Sequence, residues 1–190
     1  MFLSCILALF QTLKRNHYYI KMSKAIHQDI KQWLRFLRTY NGVSVIPLSL
    51  WSAPDGVFST DACLSGCRGL TDQYFFHCEF PAEITTQFHS IHHLEAIAIL
   101  IACCLWGSSW QGLCIIIQCD NKAVVSSLNS GCVHDLYLVI LQAIWLEAAS
   151  HEFELRASGS QEIPKGCLCL RNSKEPLHAM AIIFVSLFTL

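Results

Sequence analysis

The alternation of apolar and polar residues predicts a series of short strands over the middle of the chain. Extended segments separated by turn residues predict three antiparallel strands, over residues 56–62, 66–71 and 73–80. A continuous β-branched run over 113–119 is typical of a central strand that is covered on both faces. Regular alternation over 152–156 predicts a last strand. The pattern therefore predicts five strands.

Apolar residues at helical spacing predict helices before and between these strands, over residues 24–40, 89–107, 122–128 and 135–150. In the second helix an apolar stripe repeats every three or four positions, and Glu95 is expected beside that stripe near the helix start. Three antiparallel strands followed by helix-strand-helix-strand make an α/β fold. We expect one mixed five-stranded sheet with helices on its faces.

The composition allows one domain of ordinary size with an unusually apolar surface. Hydrophobic residues make up 53% of the 190 residues and charged residues 14%, so the chain can bury a core and still expose apolar area. The 13 basic and 14 acidic residues leave a net charge of −1, which provides no strong overall attraction to phosphates. Basic residues do cluster before the predicted strands. Such a cluster is either a solvated surface or a surface that contacts phosphates. Its members are Lys14, Arg15, Lys21, Lys24, Lys31, Arg35 and Arg38.

The cysteines predict neither a zinc site nor a disulfide framework. The chain has 11 Cys without paired Cys-x-x-Cys units, and such a scatter is typical of a reducing compartment. We therefore expect an intracellular protein, in the nucleus or the cytoplasm. Near Glu95, His89, His92 and His93 crowd a helix start, where they either join a zinc site or serve as surface and capping residues.

Three carboxylates occupy positions where polar groups need a partner. Asp61 lies in the first predicted strand, Asp120 directly follows the central strand, and Glu95 lies near a helix start. Each of them alone is commonly a solvated surface residue. Together they predict one metal site, because buried carboxylates are stabilised by cations. Hard oxygen ligands of this kind suit Mg²⁺ or Mn²⁺.

The order of the motifs around these acids resembles the ribonuclease H domain of retroelement reverse transcriptases, most closely that of DIRS-type retrotransposons with a tyrosine recombinase. The resemblance covers about residues 23–157. It includes the first strand and turn at 59–66 (STDACLSG), the glutamate helix at 93–98 (HLEAIA) and the second aspartate motif at 119–125 (CDNKAVV). Two flanking segments agree with it, namely 29–37 (DIKQWLRFL) and 151–156 (HEFELR).

This resemblance implies a ribonuclease H-like fold and Mg²⁺- or Mn²⁺-dependent hydrolysis of the RNA strand in RNA/DNA hybrids. Asp61, Glu95 and Asp120 would be the catalytic residues and metal ligands. The nucleic-acid-binding residues would be Ser59, Thr60, Asn121 and Lys122, although Asn121 is equally suited to cap the following helix. The implied partners are an RNA/DNA hybrid and, in the parent element, the polymerase region of the reverse transcriptase.

The resemblance is lost after Arg156, where the family places a final helix with a fourth Asp. The chain has no Asp after Asp135, and Glu162 and Glu175 do not lie in a matching motif. A change of reading frame or a splice near residue 157 would explain the loss. We therefore expect impaired activity.

The predicted organisation has four parts. These are an apolar and basic extension over 1–22, a helix and linker over 23–55, the ribonuclease H-like domain over 56–157, and an unmatched tail over 158–190. The apolar ends over 1–10 and 179–190 are shorter than the roughly 20 residues that cross a bilayer. We therefore expect no membrane span.

Two other functions agree with the sequence. One is an inactive relic of the same fold that binds nucleic acid or a protein. The other is a small membrane-associated protein that uses its apolar ends.

Overall fold

The computed structural model describes residues 22–39, 53–130, 136–159 and 171–172. The strands are β1 (Gly56–Ala62), β2 (Gly66–Leu70), β3 (Tyr74–Glu79), β4 (Cys114–Cys119), β5 (Glu154–Gly159) and β6 (Arg171–Asn172). The helices are α1 (Lys24–Thr39), α2 (Ala82–Gln87), α3 (Ile91–Trp106), α4 (Lys122–Ser130) and α5 (Leu136–Ser150), with a 3-10 helix at Gly107–Trp110.

The strands form one mixed sheet in the order β5-β4-β1-β2-β3-β6. The β1-β2 and β2-β3 pairs are antiparallel, as expected for segments joined by short turns. The β1-β4 and β4-β5 pairs are parallel. Helices α4 and α5 connect β4 to β5, whereas the chain between β1 and β4 runs through β2, β3, α2 and α3. The order β3-β2-β1-β4-β5 is that of a ribonuclease H-like fold, so the predicted fold class is confirmed. The two-residue β6, which pairs with β3, was not predicted.

Helix α3 forms the centre of the hydrophobic core. It packs against β1, β2 and α5, and every side chain from Leu94 to Cys103 is buried. The prediction that Glu95 lies beside the buried stripe is wrong, since Glu95 is only 3% exposed. A helix in contact with both a sheet and another helix buries most of its circumference, so no single polar face remains.

An aromatic cluster fills the opposite end of α3, where it meets the 3-10 helix. The Phe58 ring stacks on Trp110 with centroids 4.9 Å apart and meets Trp106 edge-on at 6.1 Å. Phe153 packs edge-on against Trp110 at 5.3 Å. Offset and edge-on aromatic pairs add to the stability from burial. The cluster therefore anchors β1 and the segment before β5 to the end of α3.

Two elements differ from the predicted ones. Helix α2 was not predicted; it follows Pro81, and its buried Ile84 attaches it to the core. Strand β5 begins two residues later than predicted and extends three residues further, to Gly159. The later start has a local cause, because Glu152 adopts a positive φ of 58° and accepts a backbone hydrogen bond from Gly112.

Several predictions fall outside the described residues. They concern the apolar ends, most of the 43–54 linker and most of the unmatched tail. Within the described ranges, Ile91–Trp110 is long and apolar enough to cross a membrane by length and composition, and 67% of its most apolar window is buried inside the fold. The core helix of a soluble protein meets the same criterion.

Candidate metal centre

The predicted acidic residues lie at one end of the two central strands. Asp61 is near the end of β1, Asp120 directly follows β4, and Glu95 lies in the second turn of α3. Because β1 and β4 are adjacent and parallel, their carboxyl ends meet at the same edge of the sheet. This topology brings residues together that are far apart in the chain.

Glu95 and Asp120 form a group with Cys119 that could hold a metal ion. One ligand atom from each of the three residues lies within 4.8 Å of the other two. Glu95 and Cys119 are buried and Asp120 is exposed, so the group has a protected side and an open side. The Cys119 thiol lies 3.9 Å from Glu95 Oε2.

The carboxyl group of Glu95 is held at the bottom of this group. Its Oε1 accepts a hydrogen bond of 3.2 Å from the backbone N–H of Ala62. Burial, together with the negative charges of Asp120 and Asp61, raises the pKa of Glu95 to about 7. The Ala62 and Cys119 hydrogen bonds oppose this rise. A cation at this position would favour the ionised form, which burial alone disfavours.

Asp61 is not part of this group, and it forms an ion pair with Arg68. The guanidinium donates from Nε and Nη2 to Asp61 Oδ2, at 2.9 Å and 2.5 Å. The two residues are direct cross-strand neighbours in the β1-β2 ladder. The side chains are 36% exposed for Asp61 and 66% exposed for Arg68. Asp61 therefore lies close enough to influence Glu95, but its charge is already compensated.

Sequence reasoning missed two members of this region, Cys119 and Arg68. Cys119 precedes Asp120 at the last position of β4, and the alternation along β4 turns it toward the buried face. Arg68 follows Asp61 by seven residues across a tight turn. In the β1-β2 hairpin Arg68 lies directly opposite Asp61. The seven-residue separation across the turn could therefore have predicted the ion pair.

The four predicted nucleic-acid-binding residues have different environments. The Ser59 hydroxyl donates to Gln118 Oε1 at 3.1 Å. Thr60 is 2% exposed, and within the described ranges its hydroxyl has no hydrogen-bond partner. Lys122 is exposed at the first turn of α4. Nucleic-acid contact by these residues stays a prediction.

Asn121 caps helix α4, which was the alternative to a role in nucleic-acid binding. Its side-chain Oδ1 accepts hydrogen bonds from the backbone N–H groups of Ala123, at 3.1 Å, and Val124, at 3.4 Å. These groups belong to the first helical turn and would otherwise lack acceptors. The cap fixes the chain directly after Asp120.

The histidines before Glu95 serve local structure. His92 Nδ1 and Ser90 Oγ are 2.6 Å apart. The His93 ring packs edge-on against Phe88 with centroids 5.7 Å apart, and burial, followed by the neighbouring histidines, lowers the pKa of His93. Among the described residues, no group able to hold a metal includes a histidine. A zinc site built on these histidines therefore gains no support.

The donor atoms partly fit the expected cation. Glu95 and Asp120 offer the carboxylate oxygens that Mg²⁺ and Mn²⁺ prefer. Cys119 adds a sulfur atom, which suits a softer ion such as Zn²⁺. The arrangement could hold a divalent cation through the two carboxylates of Glu95 and Asp120.

Comparisons with known proteins show no family for this chain. No family model matches it. An F-box/FBD/LRR-repeat protein of Arabidopsis thaliana is 38% identical over 80 residues, which is 42% of this chain and only 18% of that protein. A structure of the foamy viral protease-reverse transcriptase in complex with RNA/DNA hybrid aligns with 98% of this chain and 32% of that chain, at 12% identity and a TM-score of 0.37. This likeness is too low to support a conclusion, so the fold class rests on the strand order alone.

Proposed function

We propose that this chain is a ribonuclease H-type domain derived from a DIRS-type retrotransposon, with impaired Mg²⁺- or Mn²⁺-dependent hydrolysis of RNA in RNA/DNA hybrids. One observation carries the proposal: Glu95 and Asp120 meet within reach of one cation at the adjoining ends of β1 and β4. The sequence motifs around both residues support it. We place the protein inside the cell, in the nucleus or the cytoplasm, because its scattered cysteines do not predict the disulfide framework of a secreted protein.

Each residue of the candidate centre has a distinct part in this proposal. A bound Mg²⁺ or Mn²⁺ would supply a Lewis acid and an activated water at neutral pH. Glu95, oriented by the Ala62 N–H group, would hold the cation from the buried side. Asp120 would hold it from the open side, where a phosphodiester can approach. The Asn121 cap keeps Asp120 in place by fixing the start of α4.

Two features support the impairment. The Oδ2 atom of Asp61 is engaged by Arg68, whose positive charge also disfavours a cation beside this carboxylate. The sequence also contains no fourth Asp in the region where the family has one. Because catalysis by two metals needs ligands for both ions, we expect the second ion to bind weakly.

The Asp61–Arg68 pair also favours a second candidate function. A fold in which the charge of one candidate cation ligand is compensated by a guanidinium could still bind a hybrid or a protein without cleaving anything. The difference between the two functions is therefore whether Asp61 can serve as a cation ligand.

The test is cleavage of an end-labelled RNA/DNA hybrid by the purified chain, with Mg²⁺, Mn²⁺ or EDTA. The variants are Asp61→Asn, Asp120→Asn and Arg68→Ala, with the exposed Glu83→Gln as a matched control. We expect slow metal-dependent cleavage that Arg68→Ala accelerates and that both Asp variants abolish. A labelled RNA/RNA duplex should remain uncut, which excludes a contaminating general ribonuclease.

The other outcomes separate the alternatives. Hybrid binding without cleavage by the folded chain and by Arg68→Ala would identify the inactive relic. Absence of both hybrid binding and cleavage would refute the nuclease and the relic that binds nucleic acid. Cleavage that survives Asp120→Asn would show that the candidate metal centre is not the active site.

A further inference from the structure

Two cysteines face each other in the β2-β3 hairpin. Cys67 and Cys78 are direct partners in the antiparallel ladder, and their Sγ atoms are 3.4 Å apart in a thiol–thiol hydrogen bond. Directly opposed residues on antiparallel strands have Cα separations of about 4.5–5.5 Å, which lie within the range of about 4.4–6.8 Å that a disulfide spans. The sulfur atoms must approach by about 1.4 Å to bond, which side-chain rotation can supply.

The two thiols differ in access to solvent. Cys67 is buried in the core, and Cys78 is half-buried on β3. In the described part of the chain, β6 pairs with β3 at Tyr74 and Phe75 and does not reach Cys78. A small oxidant can therefore react with Cys78 first, and the buried Cys67 thiol is in contact with Cys78.

We propose that Cys67 and Cys78 form a reversible dithiol–disulfide pair that low-molecular-weight disulfides such as oxidised glutathione convert. The proposal does not depend on nuclease activity, because it rests on the hairpin register and on the contact between the two sulfur atoms.

The exchange proceeds in two balanced steps. The Cys78 thiolate attacks one sulfur of oxidised glutathione, and the S–S bond of the oxidant breaks to release one glutathione thiolate. Cys67 then loses its proton, attacks Cys78 Sγ and displaces the second glutathione. One disulfide forms in the protein, and one oxidised glutathione is reduced to two thiols. The hydrogen bond from Cys67 lowers the pKa of Cys78, which agrees with Cys78 as the attacking group.

The location gives the pair a structural consequence. Cys67 is also the register partner of Ala62 in β1, and the N–H of Ala62 holds Glu95. Oxidation would therefore link β3 covalently to β2. Strand β2 is the neighbour of β1, whose end lies at the candidate metal centre.

The turn between β1 and β2 contains a natural control, Cys63. Cys63 is exposed, and its Sγ contacts Ser65 Oγ at 3.2 Å instead of another sulfur. The hydrogen bond from Ser65 lowers the pKa of Cys63. This exposed thiol is open to oxidants, but among the described residues no sulfur atom is in contact with it. A proposal based on reactivity alone would favour Cys63, whereas the geometry favours Cys67 and Cys78.

The test is thiol mapping of the full chain by mass spectrometry. The reduced protein is incubated with graded ratios of oxidised to reduced glutathione, free thiols are blocked with N-ethylmaleimide under native conditions, and the digest is searched for a Cys67–Cys78 cross-linked peptide. We expect this peptide in the wild type and in Cys63→Ser, its disappearance after dithiothreitol, and its absence from Cys67→Ser and Cys78→Ser.

Two results would overturn the proposal. One is a folded wild type in which Cys78 retains a glutathione adduct that never transfers to Cys67. The other is a cross-link that forms only after denaturation, or that joins Cys63 in place of Cys78. The wild-type map decides the question even if a serine variant fails to fold.

Discussion

Replacement of Glu95 by Gln should stabilise the metal-free protein at neutral and alkaline pH. The side chain is 3% exposed, and burial, with the charges of Asp120 and Asp61, raises its pKa from 4.5 to about 7. Glutamine has nearly the same shape and can still accept the Ala62 hydrogen bond. The substitution therefore removes a buried charge and leaves the local packing intact.

The size and sign of the effect follow from proton linkage. Between pH 4.5 and about 7 the folded state of the wild type holds this proton more tightly than the unfolded state, so the free energy of unfolding falls as the pH rises. At about 1.4 kcal/mol per pH unit, the rise of the pKa from 4.5 to about 7 means that the ionised carboxylate lowers stability by at most about 3.5 kcal/mol. Solvent at the open side of the group reduces this to about 2 kcal/mol.

The assay is urea denaturation followed by tryptophan fluorescence, in EDTA and a reducing agent, from pH 4 to 8.5. We expect Glu95→Gln to equal the wild type near pH 4.5. It should exceed the wild type by about 2 kcal/mol at pH 8, with a thermal midpoint about 4–8 °C higher. The exposed Glu83→Gln should differ by less than about 0.5 kcal/mol at every pH.

Two results would refute this reasoning. Equal stabilisation at all pH values would show that packing, and not charge, distinguishes the two side chains. Destabilisation of Glu95→Gln at pH 8 would show that the ionised carboxylate is stabilised by contacts stronger than the Ala62 N–H group. In either case the pKa of Glu95 would not be raised by burial.

Three further substitutions test single contacts. Arg68→Ala should free Asp61 and tighten Mn²⁺ binding by roughly three- to tenfold in an electron paramagnetic resonance titration; unchanged affinity would mean that Asp61 is not a ligand. Asn121→Ala should lower the free energy of unfolding by about 1 kcal/mol through loss of the α4 cap, and Asn121→Ser should restore most of it. Asn129 bonds both the N–H and the C=O of Ala157, at 3.0 Å and 2.8 Å, so Asn129→Ala should lower stability by about 1–3 kcal/mol. If hydrogen exchange of the Ala157 amide were the same in Asn129→Ala as in the wild type, the prediction for Asn129 would be wrong.

The local pattern was sufficient to predict most of the elements. Period-two alternation and β-branched runs predict the strands, and short turns predict the antiparallel pairs of β1, β2 and β3. The position of β4 beside β1 is a contact between distant segments, which the local pattern does not predict. Helix α1 was predicted to within one residue at its end. These features depend on neighbours in the chain, which is the information that a sequence displays directly.

Elements that depend on distant contacts were missed or misplaced. Helix α2 is too short for a recognisable period and is held by the burial of Ile84. Strand β5 extends to Gly159 because it pairs with β4 and because Asn129 bonds Ala157, and neither contact is visible in the local sequence.

The candidates for chemistry could be identified without a structure. Asp61, Glu95 and Asp120 were recognisable because each interrupts or ends an apolar segment. Their environments became known from the fold: Glu95 is buried beside Cys119 and Asp120, while Asp61 pairs with Arg68. The physical reason is that the charge state and partners of a carboxylate depend on distances between residues far apart in the chain, and folding alone sets those distances.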